Sequence, residues 1–423
     1  MRSQLHPRLL RLLPLRAEHL SWSILHQVVT RALVVIKFFV AAKLLGPEAV
    51  GLVAVAILTM AIVEALTDTG LQQALIQNKK RLDATEAGAL WTLQLTRGTF
   101  ICLALLLLSE EFASLLNAPG ASGLIKVTAF IAVIKNTVNP GPALMLRDRN
   151  FRGTALYEVA ASATDLISTV TLILVGLGPL AMVLGTAAGE TMKLAFSWFA
   201  FRTPLTPNTR WRHISHLTNF GKWIWGNSVL TLLLNQLDKI LVARYLGVSE
   251  LGLYQTAARI CQLLTVEPAL AFGQYLFPTY AKLFRDSPHE ARQQFLKVLK
   301  LTIVFLFAAI AFVLLTLGSI IGFALGDEWY DTQRLARIFV FPMAVATLIA
   351  ALVPYLRAIA MAKQILIACI WQLLTLGAVS PPLLATHGAT GMIISTGIAA
   401  TVACAYLFFV ALRLADNRDQ NEI

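Results

Sequence analysis

Apolar residues gather into runs of about twenty along this chain, separated by short polar breaks, from residue 21 almost to the end. A helix needs about 20 such residues to cross a hydrocarbon core of roughly 30 Å. The runs predict spans at 21–45, 49–67, 84–108, 121–138, 154–176 and 180–201. After a polar, Pro-containing stretch they resume at 222–246, 251–275, 294–318, 335–356, 363–384 and 388–412. The pattern predicts an all-α polytopic membrane protein of about twelve transmembrane helices. Its expected organisation is a basic tail (1–20), a six-helix lobe (21–203), a linker (204–221), a second six-helix lobe (222–412) and a short tail (413–423).

The two halves share more than a count. AAKLLGPEAVGLVAVA (41–56) returns 201 residues later as VARYLGVSELGLYQTA (242–257), with identities at Ala42/Ala243, Leu45/Leu246, Gly46/Gly247, Gly51/Gly252, Leu52/Leu253 and Ala56/Ala257. An offset of six spans, an even number, keeps both copies in one membrane orientation. The halves are therefore expected as parallel repeats related by an axis along the membrane normal, two lobes around a central cavity. The repeated glycines fit a tight turn between the first and second span of each half.

Composition agrees: 57% of residues are hydrophobic and 14% charged, whereas soluble domains average about 45–50% and 25%. Basic residues alternate between loops. They crowd the N-terminal tail (Arg2, Arg8, Arg11, Arg16) and the loops at Lys79–Arg81, Arg147–Arg152, Arg202–Arg212, Lys282–Arg292 and Arg357–Lys363, while 109–123 and 325–331 are acidic or neutral. Lys and Arg accumulate on the cytoplasmic side of short loops, so both termini are expected inside. That bias also accounts for the net charge of +12 without a nucleic-acid partner. The tail, interrupted by Pro7 and Pro14, does not read as a cleaved signal. Cys102, Cys261, Cys369 and Cys404 stand singly on different spans and read as packing residues. Phosphate-binding loops, nucleophile elbows and zinc-protease motifs are missing from the sequence.

LLGPEAVGLVAVA, LTDTGLQQALIQ (66–77), LMLRDRNFRGTALYE (144–158) and NQLDKILVARYLGVSELGLYQTA (235–257) together resemble the bacterial polysaccharide or oligosaccharide flippases. Their superfamily also holds multidrug and toxin extruders and lipid II flippases. The resemblance runs from about residue 15 to 412. It implies a carrier in the bacterial cytoplasmic (inner) membrane that moves undecaprenyl-pyrophosphate-linked oligosaccharide from the inner to the outer leaflet by alternating access, with no covalent chemistry. Membrane lipids surround such a carrier, and a polysaccharide polymerase and export machinery would act with it. Members of the family often have fourteen spans, two more than are read here.

A charge deep in a span costs about 2.5–3.5 kcal/mol on insertion scales and so faces a cavity or a partner. The deep cations are Arg31 and Lys37 on the first span, Arg97 on the third and Arg259 on the eighth; the deep acids are Asp165, Glu190, Asp238 and Glu267. For the cations two readings stand: contact with an anionic substrate, or structural pairing with the acids. The resemblance favours the first for Arg31 and Lys37, which stand fifteen and nine positions before Gly46, because lipid II flippases carry essential cations on their first span at that spacing. Glu190 and Lys193, three apart, predict a helix-surface pair. Lys43 and Lys135 lie close to span ends and are expected to snorkel. Trp22, Trp91, Trp223, Trp225 and Trp329 fit an interfacial belt, and Pro142 and Pro354 are read as span-ending.

The 201-residue offset maps Lys37 onto Asp238. Either the two form a gate across the cavity, or Asp238 is neutralised by its neighbours Asn235 and Lys239. Asp165, Asp238 and Glu267 are the candidates for gating or for coupling to a proton or sodium gradient; no bound cofactor or metal is expected. Two rivals remain. A multidrug extruder would prefer an acidic, aromatic cavity, against which the deep cations argue. A membrane-embedded glycan polymerase or ligase would carry a sizeable external loop, whereas the longest here is about fifteen residues.

Overall fold

The computed structural model describes residues 17–68, 84–139, 141–142, 151–200 and 221–419. The basic loops at Lys79–Arg81 and at Arg147 and Arg149, the linker up to residue 220, most of the N-terminal tail and the last four residues lie outside the described residues.

Among the described residues the structure is helical throughout: α1 (Ala17–Leu66), α2 (Ala84–Leu107), α3 (Ser109–Leu115), α4 (Ser122–Asn136), α5 (Phe151–Leu174), α6 (Leu180–Ala200), α7 (Gly221–Leu246), α8 (Val248–Leu264), α9 (Val266–Asp286), α10 (Pro288–Ala324), α11 (Tyr330–Ala358) and α12 (Ala362–Asp419). Two of these hold two spans each. α1 breaks at Gly46 (φ 78°, ψ 173°) and α12 at Gly388 (φ 56°, ψ −137°). α8 and α9 form one long, broken span, interrupted at Thr265 (φ −117°, ψ −59°), the residue directly before α9, whose first turn carries Glu267 and Pro268. Counted this way, twelve spans are present among the described residues, six from each half of the sequence. Stretch 109–123, expected as a loop, folds into α3 and a 3-10 turn, Pro119–Ala121.

Local chemistry explains several ends. α10 starts on a capping box: Ser287 Oγ accepts from the Glu290 N–H at 3.4 Å, with Pro288 in the first turn, where its missing N–H costs nothing. Its 37 residues extend about 55 Å, well beyond a hydrocarbon core, and the N-terminal part carries Arg292, Lys297 and Lys300. Pro354 does not end its span; it lies inside α11, and a Cβ at Gly273 would stand 3.1 Å from its Cγ.

The chain divides into two compact units, one of residues up to 45 and 55–229, the other of 46–54 and 230 onward. In the first unit, α5 and α6 approach along Gly185 and Gly189. A Cβ at these positions would lie 1.9 Å from Thr169 Oγ1 and 2.9 Å from Asp165 Cβ. Small residues allow such approach where no hydrophobic force between helices exists. The unit extends into α7 because Trp225 donates to the Leu66 carbonyl (2.9 Å) and Ser228 to Asp68 (2.5 Å), closing the end of α1. In the second unit, Tyr280, Phe295 and Tyr355 form a buried aromatic cluster, with Phe295 stacked on Tyr355 at 4.2 Å. Trp329 is fully buried rather than at an interface, which removes it from the expected belt.

Candidate substrate-handling site

In the first unit, Lys37 on α1 donates to both carboxylate oxygens of Asp165 on α5, at 2.9 and 2.8 Å, and to Thr186 Oγ1 on α6 at 3.1 Å. Thr169 adds a hydrogen bond to Asp165 at 3.2 Å, and Thr186 donates onward to the Met182 carbonyl at 2.9 Å. The two charged side chains are 14% and 18% exposed. All three donors of the ammonium are therefore engaged, in a polar cage that exists because Gly185 and Gly189 let α5 and α6 close on each other. Arg31, half-buried, sits six residues earlier on α1, about 120° around the helix from Lys37.

Arg97 serves a different end. Its guanidinium donates to the Glu64 carbonyl at 2.7 Å, which also accepts from Thr67 Oγ1 at 3.2 Å, and to Thr67 Oγ1 itself at 3.3 Å, at the end of α1. The Glu64 side chain is itself paired with Lys135 at 2.8 Å. Lys135 bridges α4 to α1 while staying partly exposed, and Lys43 is exposed at its span end. Lys193 pairs with Glu190 (3.2 Å), the bond the spacing predicts, and also with Glu158 (3.5 Å). Trp91 and Trp198 both donate to the Thr137 carbonyl, at 3.0 and 3.2 Å, with rings edge-on at 5.8 Å.

In the second unit, Asp238 accepts from Tyr254 Oη at 2.9 Å and from Lys239 at 3.4 Å, and Lys239 also donates to the Asn235 carbonyl. The local neutralisation by Lys239 weighed against a gate is present, with Tyr254 added. Arg259 and Glu267 approach to 3.7 Å across the break at Thr265, whose hydroxyl donates to the Cys261 carbonyl at 2.8 Å. Among the described residues no three metal-ligating side chains converge.

Sequence reading missed Thr169, Thr186, Glu64 and Tyr254 as partners. The Gly185–Gly189 spacing was the available signal for the first two, and an acid inside a span for the third. A buried tyrosine hydroxyl has no sequence signal.

This arrangement defines a class: a multi-pass helical membrane protein with buried ion pairs in its spans. The family described as "Polysaccharide biosynthesis protein" matches residues 40–334, and the chain belongs to it. It is 26% identical over 314 residues to "Lipopolysaccharide biosynthesis protein WzxC" of Escherichia coli (strain K12), covering 73% of this chain and 63% of that protein. It is 23% identical over 342 residues to "Succinoglycan biosynthesis transport protein ExoT" of Rhizobium meliloti (strain 1021), covering 81% of this chain and 69% of that one. The match to WzxC thus takes in less than two thirds of that relative's length. Among solved structures, the fold matches the lipid II flippase MurJ in an inward closed conformation (TM-score 0.75, 15% identity, 92% of this chain and 87% of that one). It also matches an inward-facing multidrug resistance MATE family transporter (TM-score 0.74, 17% identity, 95% of this chain and 100% of that one).

Proposed function

We propose that this protein carries an undecaprenyl-pyrophosphate-linked oligosaccharide from the inner to the outer leaflet of the bacterial cytoplasmic membrane by alternating access, with both termini in the cytoplasm. The observation that carries the reading is a lysine, Lys37, held inside a span by a carboxylate and a hydroxyl, in a chain of the polysaccharide biosynthesis family. The relatives' names, a succinoglycan transport protein and a lipid II flippase, support the same class of cargo. The loop charges support the orientation.

A lipid-linked glycan presents a pyrophosphate and many hydroxyls that cannot enter hydrocarbon. Lys37 offers a point charge, and Arg31 a planar fork suited to two phosphate oxygens. Asp165 holds the lysine through both of its carboxylate oxygens. An arriving pyrophosphate competes for the same three donors, so Asp165 keeps the cation from standing uncompensated in the membrane between cargoes. Asp165, Asp238 and Glu267 are the acids through which a proton or sodium gradient would act. A polysaccharide polymerase and export machinery would take up the flipped product.

The test is complementation of a strain lacking its own flippase for a matched lipid-linked repeat unit. Surface glycan should appear with the wild-type chain and be lost with Lys37→Ala and Arg31→Ala at equal protein level. Failure to restore any glycan across several repeat units, together with raised resistance to cationic drugs, would identify a multidrug extruder instead.

A further inference from the structure

The part of α11 next to the Asp327–Trp329 turn carries two exposed arginines, Arg334 and Arg337. The loop at this end of the helix is acidic, whereas cations bordering a membrane gather in the basic loops of the opposite side. The pair therefore lacks the ordinary explanation. Nor do the acids close in sequence neutralise it: Glu328 Oε2 lies 3.1 Å from where a Cβ on Gly46 would stand, and the charge of Asp331 bears on Glu250. Among the described residues neither arginine forms an ion pair. Arg337 reaches towards α10, its Nη2 3.7 Å from the position of a Gly318 Cβ, beside Gln333.

One turn further into the span the same face of α11 becomes apolar. Ile338, Phe341 and Val345 stand four, seven and eleven residues after Arg334, the spacing of one helix face. With Ile394, Ile398 and Val402 of α12 they line an open groove of about 480 Å³, within the range of about 300–1,000 Å³ that ligand pockets occupy. Its floor is where the two helices come close, since a Cβ on Gly397 would lie 3.2 Å from Pro342 Cγ. From Ile338 to Val345 the groove runs about 10 Å along the helix, a third of the hydrocarbon core of roughly 30 Å. On α12, Thr390 precedes Ile394 by one turn, as Arg334 precedes Ile338 on α11. Both walls thus pass from polar to apolar in the same direction.

We infer that α11 and α12 bind one anionic phospholipid, with its phosphate on Arg334 and Arg337 and the upper part of one acyl chain in the groove beneath them. A guanidinium offers parallel N–H donors to phosphate oxygens and stays charged. An apolar groove open within a bilayer is filled by a chain, and the cations at its end select which lipid supplies that chain. A zwitterionic lipid brings its own ammonium to the phosphate and competes poorly for the arginines. Because Arg337 also reaches towards α10, the lipid ties three helices of the second unit together. On the orientation proposed above it stands in the outer leaflet; the binding itself rests neither on that orientation nor on the cargo.

The test places the full-length protein in phosphatidylcholine nanodiscs doped with one of two probes, phosphatidylglycerol or phosphatidylcholine, each carrying a diazirine on the upper part of one acyl chain. Adducts are read peptide by peptide after illumination. The exposed apolar stretch of α10 from Leu301 to Leu315 is the internal reference for unselective lipid contact. Relative to it, the α11 and α12 groove peptides should take up phosphatidylglycerol about tenfold or more over phosphatidylcholine, about fivefold coming from each arginine. Arg334→Gln and Arg337→Gln should each lower that preference about fivefold, and the double variant should abolish it. Ile398→Trp, which fills the groove and leaves both arginines, should remove groove adducts of both probes. A wild-type preference no greater than that of α10, or one that survives the double variant, would overturn the inference. So would displacement of the phosphatidylglycerol probe by polyprenyl phosphate at far lower concentration than by unlabelled phosphatidylglycerol, which would assign the site to a carrier lipid. Groove peptides free of both probes while α10 is labelled would show that protein covers the groove, and would overturn it equally. None of these readings measures transport, so failure here is distinct from failure of the proposed function.

Discussion

Lys37 and Asp165, 128 residues apart in the chain, meet with the lysine nitrogen 2.8 and 2.9 Å from the two carboxylate oxygens. Removing one partner of a buried ion pair leaves the other uncompensated, whereas replacing both with apolar groups is often nearly neutral. Because both side chains keep some exposure, Asp165→Asn is expected to cost about 3 kcal/mol, the lower end of that range. The double variant Lys37→Met with Asp165→Leu should recover most of the stability and none of the transport. Unfolding in detergent and surface glycan, scored separately, check this; a double variant as unstable as the single would show that the pair is not what holds these helices.

Arg97 caps the end of α1, so Arg97→Ala should lower stability by about 1–2 kcal/mol, the loss of a charge-assisted hydrogen bond to a carbonyl that keeps Thr67 Oγ1 as a second donor. Transport per folded molecule should stay within about twofold of wild type. The comparison is between folded protein after extraction and glycan delivered. A tenfold loss per folded molecule would place Arg97 on the substrate instead.

The charge exchange Lys37→Asp with Asp238→Lys tests whether the repeat mates act as a pair. Each already has partners of its own, Asp165 for Lys37 and Lys239 with Tyr254 for Asp238. Exchange would set a new aspartate against Asp165 and a new lysine beside Lys239, two repulsions in a medium of low dielectric. The double variant should therefore be at least as impaired as the worse single one. Recovery in either folded yield or transport would establish the gate.

Glu250, beside the repeated turn, has its carboxyl raised above the ordinary value of 4.5 by burial and then by the charge of Asp331. A raised folded-state pKa means that the native form holds the proton more tightly. The contribution to stability is complete below the ordinary carboxylate range and is lost as pH rises through the raised value. Wild type should thus lose stability relative to Glu250→Gln as pH rises from the ordinary carboxylate range towards neutrality. Melting temperatures of the two proteins across that window should diverge as pH increases; parallel curves would mean that Glu250 is solvated like a surface acid.

Orientation is open to a direct check. Cysteines at Ser122 and Glu328 should react with an impermeant thiol reagent added to intact cells, and one at His289, in the basic turn between α9 and α10, should not. The reverse pattern would invert the proposed topology.

Twelve spans, their approximate limits and the two-fold repeat were legible in the sequence, because a bilayer demands long apolar runs and a duplicated turn keeps its glycines. The expected span ends at Gly46 and Gly247 coincide with positive-φ glycines, and the Glu190–Lys193 pair follows from helical spacing alone. The chemical type of the candidate site, cations buried among acids, was legible too, since each such charge is too costly to be accidental. Which cation meets which acid was not. Asp165 reaches Lys37 only because Gly185 and Gly189 let α5 settle against α6, and Arg97 turns to the end of α1 only because the fold brings the Glu64 carbonyl and Thr67 within its reach. The same holds for the repeated turn, where a Cβ at Gly51 or Gly252 would lie 2.0 Å from the carbonyl oxygen of Val248 or Pro47. The sequence shows two equivalent glycine turns, but tertiary packing alone decides that each lays its bare Cα on the other's carbonyl, since close approach is a property of two backbones brought together and of neither copy by itself.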